Sequence, residues 1–446
     1  MRIKRLLVEK LFNLFDHEIL MNLDHRITIV HAPNGFGKTA ILMMIDGVFN
    51  TRYAQLRAFP FQKLSVEFDD GRTLAITKED SNGGGKKQRS DRIQRKRNIV
   101  FRSNGHEEFK HKPSLDRGAL HFPLDIIDHE IPELSRIGPE TWRSTTGEVL
   151  ELEDIVERYQ DIFPIRVSER GEEPGWLRDL KHGIDVRFIR TDRLVIPSQP
   201  GTRPRRQGRS VLTPTVMTYS EELASEIKST LAKYAEVSQS LDRTFPGRLV
   251  SQPAYDTLSK SSLTEKLKGF EDKRSRLAAA GLLDQEQDPH FVVPEAIDET
   301  KSSVLSVYVR DVEQKLGVFD AIAAKIDLFK SLINKRFRHK QMSISREHGL
   351  VFTTDAGLPL QATSLSSGEQ HEVILLYELL FKVRRDSLVL IDEPEISLHV
   401  AWQEQFLRDL IEMTRLSEFQ VLLATHSPQI ISDHWDLTVE LHDAGT

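Results

Sequence analysis

Two stretches suited to holding phosphate lie at opposite ends of the chain, so a fold that uses them has to bring distant segments together. The first, His31 to Thr39 (HAPNGFGKT), follows an apolar strand, Ile27 to Val30, and leads into Ala40-Ile41-Leu42. Strand, glycine turn and helix start, in that order, aim backbone N–H groups at an anion. The second, Leu365 to His426, carries LSSGEQ, LVLIDEPEISLH and ATHSP. Pairing them requires an α/β core that the chain leaves and later rejoins, with a mixed sheet flanked by helices.

Phosphate binding needs converging N–H groups, a tight glycine turn, one fixed cation and a hydroxyl for a metal. Gly35, Gly37, Lys38 and Thr39 supply these, with Asn34 and Ala40 at either end of the turn. The usual pattern is G-x-x-x-x-G-K-[ST], and its first glycine is here Ala32, which the loop tolerates if that residue keeps a negative φ. Downstream, the apolar run Leu388 to Ile391 ends in Asp392 and Glu393. In a buried parallel strand these acids sit at the carboxyl edge. Asp392 fits a carboxylate on the magnesium side, beside the Thr39 hydroxyl, and Glu393 is placed to polarise an attacking water. Alone, the acids also suit a solvated turn at a strand end.

Between these stretches the pattern changes twice. Arg2 to Val8, Glu18 to Met21, Ile27 to His31, Leu64 to Phe68 and Thr73 to Thr77 read as strands, the last two around the Asp69-Asp70-Gly71 hairpin signal. From Thr218 apolar residues recur at three- and four-residue steps through Phe245, and Pro246-Gly247 is expected to stop that helix. Tyr255 to Leu283, and a segment from near Pro294 to Phe337, read as two more helices, so a three-segment bundle or stubby coiled coil is expected. Strand character returns at Met342 to Ile344, Leu350 to Thr353, Leu388 to Ile391 and Val421 to Ala424. The expected organisation is 1–217 as the first part of a head, 218–337 as a helical insert and 338–446 as the second part.

With 39% hydrophobic and 29% charged residues, the chain can bury a sizeable core. No run of about 18 apolar residues occurs, so no membrane span or signal peptide is expected, and a cytoplasmic location is. Zero cysteines exclude disulfides and thiolate metal sites. Net charge is only −6, yet two segments are strongly basic: Lys86 to Arg102 after the Gly83–Gly85 tract, and Arg187 to Arg209. They read as solvated loops, as a groove for nucleic-acid phosphates, or as a groove for an acidic protein. His106-Glu-Glu-Phe-Lys-His111 does not make a zinc helix, because its histidines are five apart instead of four. The four tryptophans read as core or interface residues.

The sequence Leu365-Ser366-Ser367-Gly368-Glu369-Gln370 resembles the signature of ABC-type ATPases, with Ser367 where many have glycine, and His426 resembles their switch histidine. Asp392-Glu-Pro-Glu-Ile-Ser-Leu-His399 with Trp402-Gln403 is most similar to the OLD, RecF and SMC-like branch. The resemblance covers roughly 1–80 and 340–446. It implies an ABC-type head binding ATP and Mg2+, and head-to-tail pairing in which Ser366, Ser367 and Gly368 reach the γ-phosphate held by another copy. His426 would act in cis. A plain helix N-cap at Ser366 or Ser367 is compatible with that role.

Zinc-hook SMC relatives need cysteines, which are absent, and OLD-type proteins carry a TOPRIM nuclease after the head, where only Gln429 to Thr446 follow the histidine. The chain therefore looks most like the AriA family of ATPase subunits of PARIS anti-phage defence systems. That likeness implies a homo-oligomer, a hexamer being one form, and a separate TOPRIM-type nuclease partner. Its trigger would be a phage DNA-mimic protein, and no membrane partner is expected. The alternative is a RecF-like repair ATPase whose basic segments grip DNA, and a steep salt dependence of duplex binding would distinguish it. A transporter motor suits the insert and the acidic run least.

Overall fold

The computed structural model describes residues 1–79, 98–111, 124, 127–128, 131, 134–144, 149–152, 155, 173–189, 195–197, 212–251, 257–283, 299–396, 398 and 400–441. The chain divides into two compact units, one of Met1–Arg193, Pro197–Leu212 and Lys382–Thr446, the other of Leu194–Ile196 and Thr213–Phe381.

Two larger sheets build the core of the first unit, and a third, smaller one is made of Val149–Glu151, Thr141–Ser144 and Leu134–Gly138. In the larger antiparallel one the strands run Phe15–Leu20, Ile3–Leu11, Lys63–Phe68, Thr73–Glu79, Asn98–Ser103 and Phe109–His111 in spatial order. Period-two alternation drives it: Leu6 and Val8, Leu64, Val66 and Phe68, and Leu74 and Ile76 point into one core. The second sheet is wholly parallel, in the order Val186–Ile189, Leu388–Asp392, Gln420–Thr425, Ile27–His31, Thr438–Glu440. Its central strands are continuous apolar runs with no exposed side chain from Leu388 to Ile391 and from Val421 to Ala424, as a sheet covered on both faces requires. Helix Lys38–Phe49 packs Ile41, Leu42 and Ile45 into the core shared with Leu388, Leu390 and Leu422. The expected α/β head is therefore present, and the chain's two ends contribute adjacent strands of one sheet.

The second unit is mainly helical: Thr215–Val250, Lys260–Ala279, Glu299–Gly317, Asp320–Arg336 and Ser367–Tyr377, with a small sheet of Lys340–Ser345, Gly349–Thr354 and Pro359–Leu360. Pro246-Gly247 does not stop the first helix, which runs on to Val250. The proline removes one N–H, and side chains tie the turns around it. Thr244 Oγ1 donates to the Ser240 carbonyl at 2.9 Å, and Arg248 Nη2 donates to the Leu241 carbonyl at 2.8 Å while also meeting Asp311 Oδ2 at 2.8 Å. The segment expected as one last helix is two, broken after Gly317. Val318 and Phe319 close tight turns onto Lys315 and Leu316, which lets Phe319 bury completely.

This unit also extends past residue 337, the expected end of the insert, to Phe381. The hairpin and the 367–377 helix are bound to the helices by their own contacts. Ser220 Oγ donates to the His348 carbonyl and accepts from Leu350 N at 2.6 and 2.8 Å, Tyr219 stacks on Tyr377 with centroids 4.6 Å apart, and Arg336 and Glu372 form a buried ion pair. Among the described residues no helix is long and apolar enough to cross a membrane.

Candidate functional site

Strand register creates the site. Asp392 pairs with Ala424, Ala424 with Val30 and Thr425 with His31, so three neighbouring parallel strands end level with one another. Beyond that edge the chain after His31 turns through Ala32 to Gly37 and enters the helix at Lys38. Gly35 and Gly37 hold φ of +92° and +85°, and Ala32 is buried and lies outside the positive-φ residues, as its place in the pattern requires. A Cβ on Gly37 would come within 2.5 Å of Leu11 Cδ2, whereas one on Gly35 would meet nothing within 4 Å. The loop is thus pressed against the antiparallel sheet at one glycine and open at the other. His17 Nε2 bonds the Phe36 carbonyl at 2.9 Å, and Phe15 stacks on Phe36 with centroids 5.2 Å apart, which steadies the turn from below.

Lys38 is buried at 4% exposure, and its Nζ donates to the Ala32 and Pro33 carbonyls at 2.7 and 3.1 Å, spanning the loop. Asn34 and Gly35 are exposed at the tip, while Ala40 is buried in the helix. Thr39 Oγ1 donates to Asp392 Oδ1 at 3.2 Å, joining residues 353 positions apart. Burial pushes the Asp392 carboxyl above its ordinary value, and Glu393 and Glu395 push the same way against Thr39 and Lys38. A divalent cation would relieve that penalty. One carboxylate and one hydroxyl, with no cluster of three metal-ligating side chains among the described residues, is a donor set that suits Mg2+ completed by phosphate oxygens.

Glu393 follows at φ +41°, its N–H bonded to the Ala424 carbonyl at 2.9 Å. That left-handed backbone costs a non-glycine residue about 1–2 kcal/mol, and such outliers gather at functional sites. His426 Nδ1 lies 3.5 Å from Glu393 Oε1 and 3.1 Å from Glu395 Oε1. Sequence reasoning passed over Glu395, although its place two residues after Glu393 in Asp-Glu-Pro-Glu was a signal. Its side chain is 7% exposed, Oε1 accepts from Thr425 Oγ1 at 2.6 Å and from His426 N at 3.1 Å, and Oε2 is buried without a partner.

The LSSGEQ residues belong to the other unit. Ser366 caps helix Ser367–Tyr377 in a full capping box with Glu369, and Lys340 Nζ grips both Glu369 oxygens at 2.8 and 2.7 Å. Burial works against the Glu369 carboxylate, yet Lys340 and the Ser366 N–H hold it below its usual range. Ser366 and Ser367 are exposed and Gly368 is half-buried, at a helix N-terminus open to an anion.

Of the basic segments, Arg102 pairs with Glu108 at 2.6 Å and Arg187 donates to the Lys382 carbonyl at 3.4 Å; their remaining cations lie outside the described residues. His106 stacks on Trp176 with centroids 5.2 Å apart and His111 enters a buried polar cluster, so the two do separate work. Trp142 is buried, while Trp435 is 50% exposed and packs edge-on against His31.

Several solved structures match the chain at low identity. An SMC head domain of Pyrococcus furiosus with an extended coiled coil, bound to the C-terminal domain of ScpA, matches at 12% identity, covering 97% of this chain and 91% of that one, with TM-score 0.34. The SMC head of Thermotoga maritima matches at 12%, 97% and 91%, with TM-score 0.31. An SMC head with coiled coil and joint from Pyrococcus yayanosii matches at 13%, 97% and 93%, with TM-score 0.34. No curated protein matches. One family model, described as "AAA domain, putative AbiEii toxin, Type IV TA system", spans residues 33–432. Asn34 to Thr39, the tandem acids and the histidine fall inside that match, and the chain belongs to this AAA-domain family.

Proposed function

We propose that the chain binds and hydrolyses ATP as the sensor and scaffold subunit of a two-component anti-phage defence complex. The observation that carries the ATPase reading is the Thr39–Asp392 hydrogen bond at 3.2 Å, with Glu393 next in sequence and Lys38 across the loop. Lys38 and the loop N–H groups hold the phosphates, Thr39 and Asp392 hold Mg2+, Glu393 orients water and His426 touches the γ-phosphate. Mg2+ held by Thr39 and Asp392 would supply positive charge to the phosphates. Ser366, Ser367 and Gly368 of one copy complete the site of another. The family's description as a toxin of a Type IV TA system supports a system with a second component. Together with the resemblance of the acidic run it favours a separate TOPRIM-type nuclease, held inactive and released when a DNA-mimic protein appears.

Nucleotide titration tests the pocket. Lys38→Ala should lose Mg·ATP binding, and Glu393→Gln should keep it, lose turnover by about 100-fold or more and accumulate paired copies. Equal affinity in wild type and Lys38→Ala would overturn the assignment. The scaffold role is tested by co-purifying a TOPRIM nuclease encoded beside this chain. Capture that ignores nucleotide and a DNA-mimic protein alike would refute it.

A further inference from the structure

A glutamate in the first turn of a helix favours that helix but repels any second anion brought to the same end. Glu369 stands in that place on helix Ser367–Tyr377, where its Oε2 accepts the Ser366 N–H at 2.8 Å. The end it closes is otherwise laid out for an oxyanion. Ser366 Oγ accepts the Glu369 N–H at 3.3 Å, which leaves the hydroxyl hydrogen to donate. The N–H groups of Ser367 and Gly368 precede the bond from Gln370 N to the Ser366 carbonyl at 2.9 Å, as the first donors of a helix do. Burial opposes the Glu369 charge, yet Lys340 and the Ser366 N–H hold its carboxyl below the usual range, so at neutral pH a negative charge is present there. Lys340 Nζ meets both Glu369 oxygens, with the two side chains 25% and 14% exposed, so water screens the pair weakly. One turn further on, the buried pair of Arg336 and Glu372 holds the same helix. Without Lys340 that anchor remains, but the charge at the helix end is no longer balanced.

We propose that Lys340 is a positioning residue whose charge cancels that of Glu369, so that the Ser366 end of one copy accepts the terminal phosphate of the ATP held by another. The proposal rests on the ATPase and pairing reading above. It adds a cation from the strand Lys340–Ser345, outside both phosphate-handling stretches.

ATP turnover and Mg·ATP affinity of the full chain, compared across charge variants, separate charge from structure. Lys340→Met leaves Glu369 unbalanced and should lower kcat about 10- to 100-fold, with the Mg·ATP affinity of protomers too dilute to pair within about twofold of wild type. Glu369→Gln keeps the bond back to the Ser366 N–H and should lose less than Lys340→Met does. Lys340→Met with Glu369→Gln is neutral again and should recover most of the kcat that Lys340→Met loses, although it lacks the same tie. Excess Lys38→Ala copies, which carry an intact Ser366 end, should restore turnover to Lys340→Met. An unchanged kcat in Lys340→Met overturns the proposal, as does a double variant no better than Lys340→Met, or no restoration on mixing. Because the double variant loses the same tie, its comparison with Lys340→Met decides even where both have a lowered Tm. If Lys38→Ala binds Mg·ATP as wild type does, the pocket fails and the proposal falls with it. If Lys38→Ala loses binding but the charge rescue fails, the pocket stands and the proposal alone falls.

Discussion

Replacing Gly37 by alanine probes how closely the Ala32–Gly37 turn is built onto the antiparallel sheet. At φ +85° a Cβ costs about 1–2 kcal/mol from backbone strain alone. It would also meet Leu11 Cδ2 at 2.5 Å and Phe12 Cε2 at 3.2 Å, and Leu11 has no exposed surface into which to retreat. Overpacking of that kind adds about 1–3 kcal/mol, so the variant should lose about 2–5 kcal/mol. Gly35→Ala is the internal control: its φ is +92°, its Cβ would meet nothing within 4 Å, and only the strain of about 1–2 kcal/mol applies. Urea unfolding followed by tryptophan fluorescence suits the comparison, because Trp142, Trp176, Trp402 and Trp435 all lie in the loop's unit. Equal losses at the two glycines, or a loss below about 1 kcal/mol at Gly37, would refute the close approach.

Burial, aided by Arg57 and Lys181, pushes His111 down from 6.5 to about 4. The unfolded chain takes up that proton first, so stability should fall by up to about 3 kcal/mol as pH drops from 6.5 towards 4, and His111→Gln should flatten this limb of the denaturation profile. Arg336 and Glu372 have side chains 2% and 1% exposed. Arg336→Leu alone should cost about 3–5 kcal/mol by hydrogen exchange in the helical unit, while Arg336→Leu with Glu372→Leu should recover much of it. The raised Asp392 carboxyl favours the folded state in its neutral form, and that contribution is lost as pH rises through its folded value. Asp392→Asn should therefore raise the Tm of nucleotide-free protein at neutral pH, with the difference closing as pH falls towards 3.8.

The glycine turn and the acidic strand end were legible as local structure because their signals are local: glycines, a lysine and a hydroxyl in fixed order, and four apolar residues before two acids. Strand limits near Ile27 and Leu388 followed from the same local signals. What escaped depends on distant partners. Pro246 reads as a helix stop until Arg248 is seen tied to Asp311, 63 residues away. The break at Gly317 follows from the burial of Phe319, which no periodicity displays. Glu395 became visible only once Thr425 and His426 were brought to it from 30 and 31 residues along the chain.

The central claim is that the glycine-lysine turn and the tandem acids form one nucleotide pocket. A double-mutant cycle on Mg2+-dependent ATP affinity, using Thr39→Ala, Asp392→Asn and the pair, measures it directly. The account predicts strong non-additivity, a coupling of about 1–3 kcal/mol, because either change alone already removes the shared magnesium position. Two independent losses that simply add would contradict it.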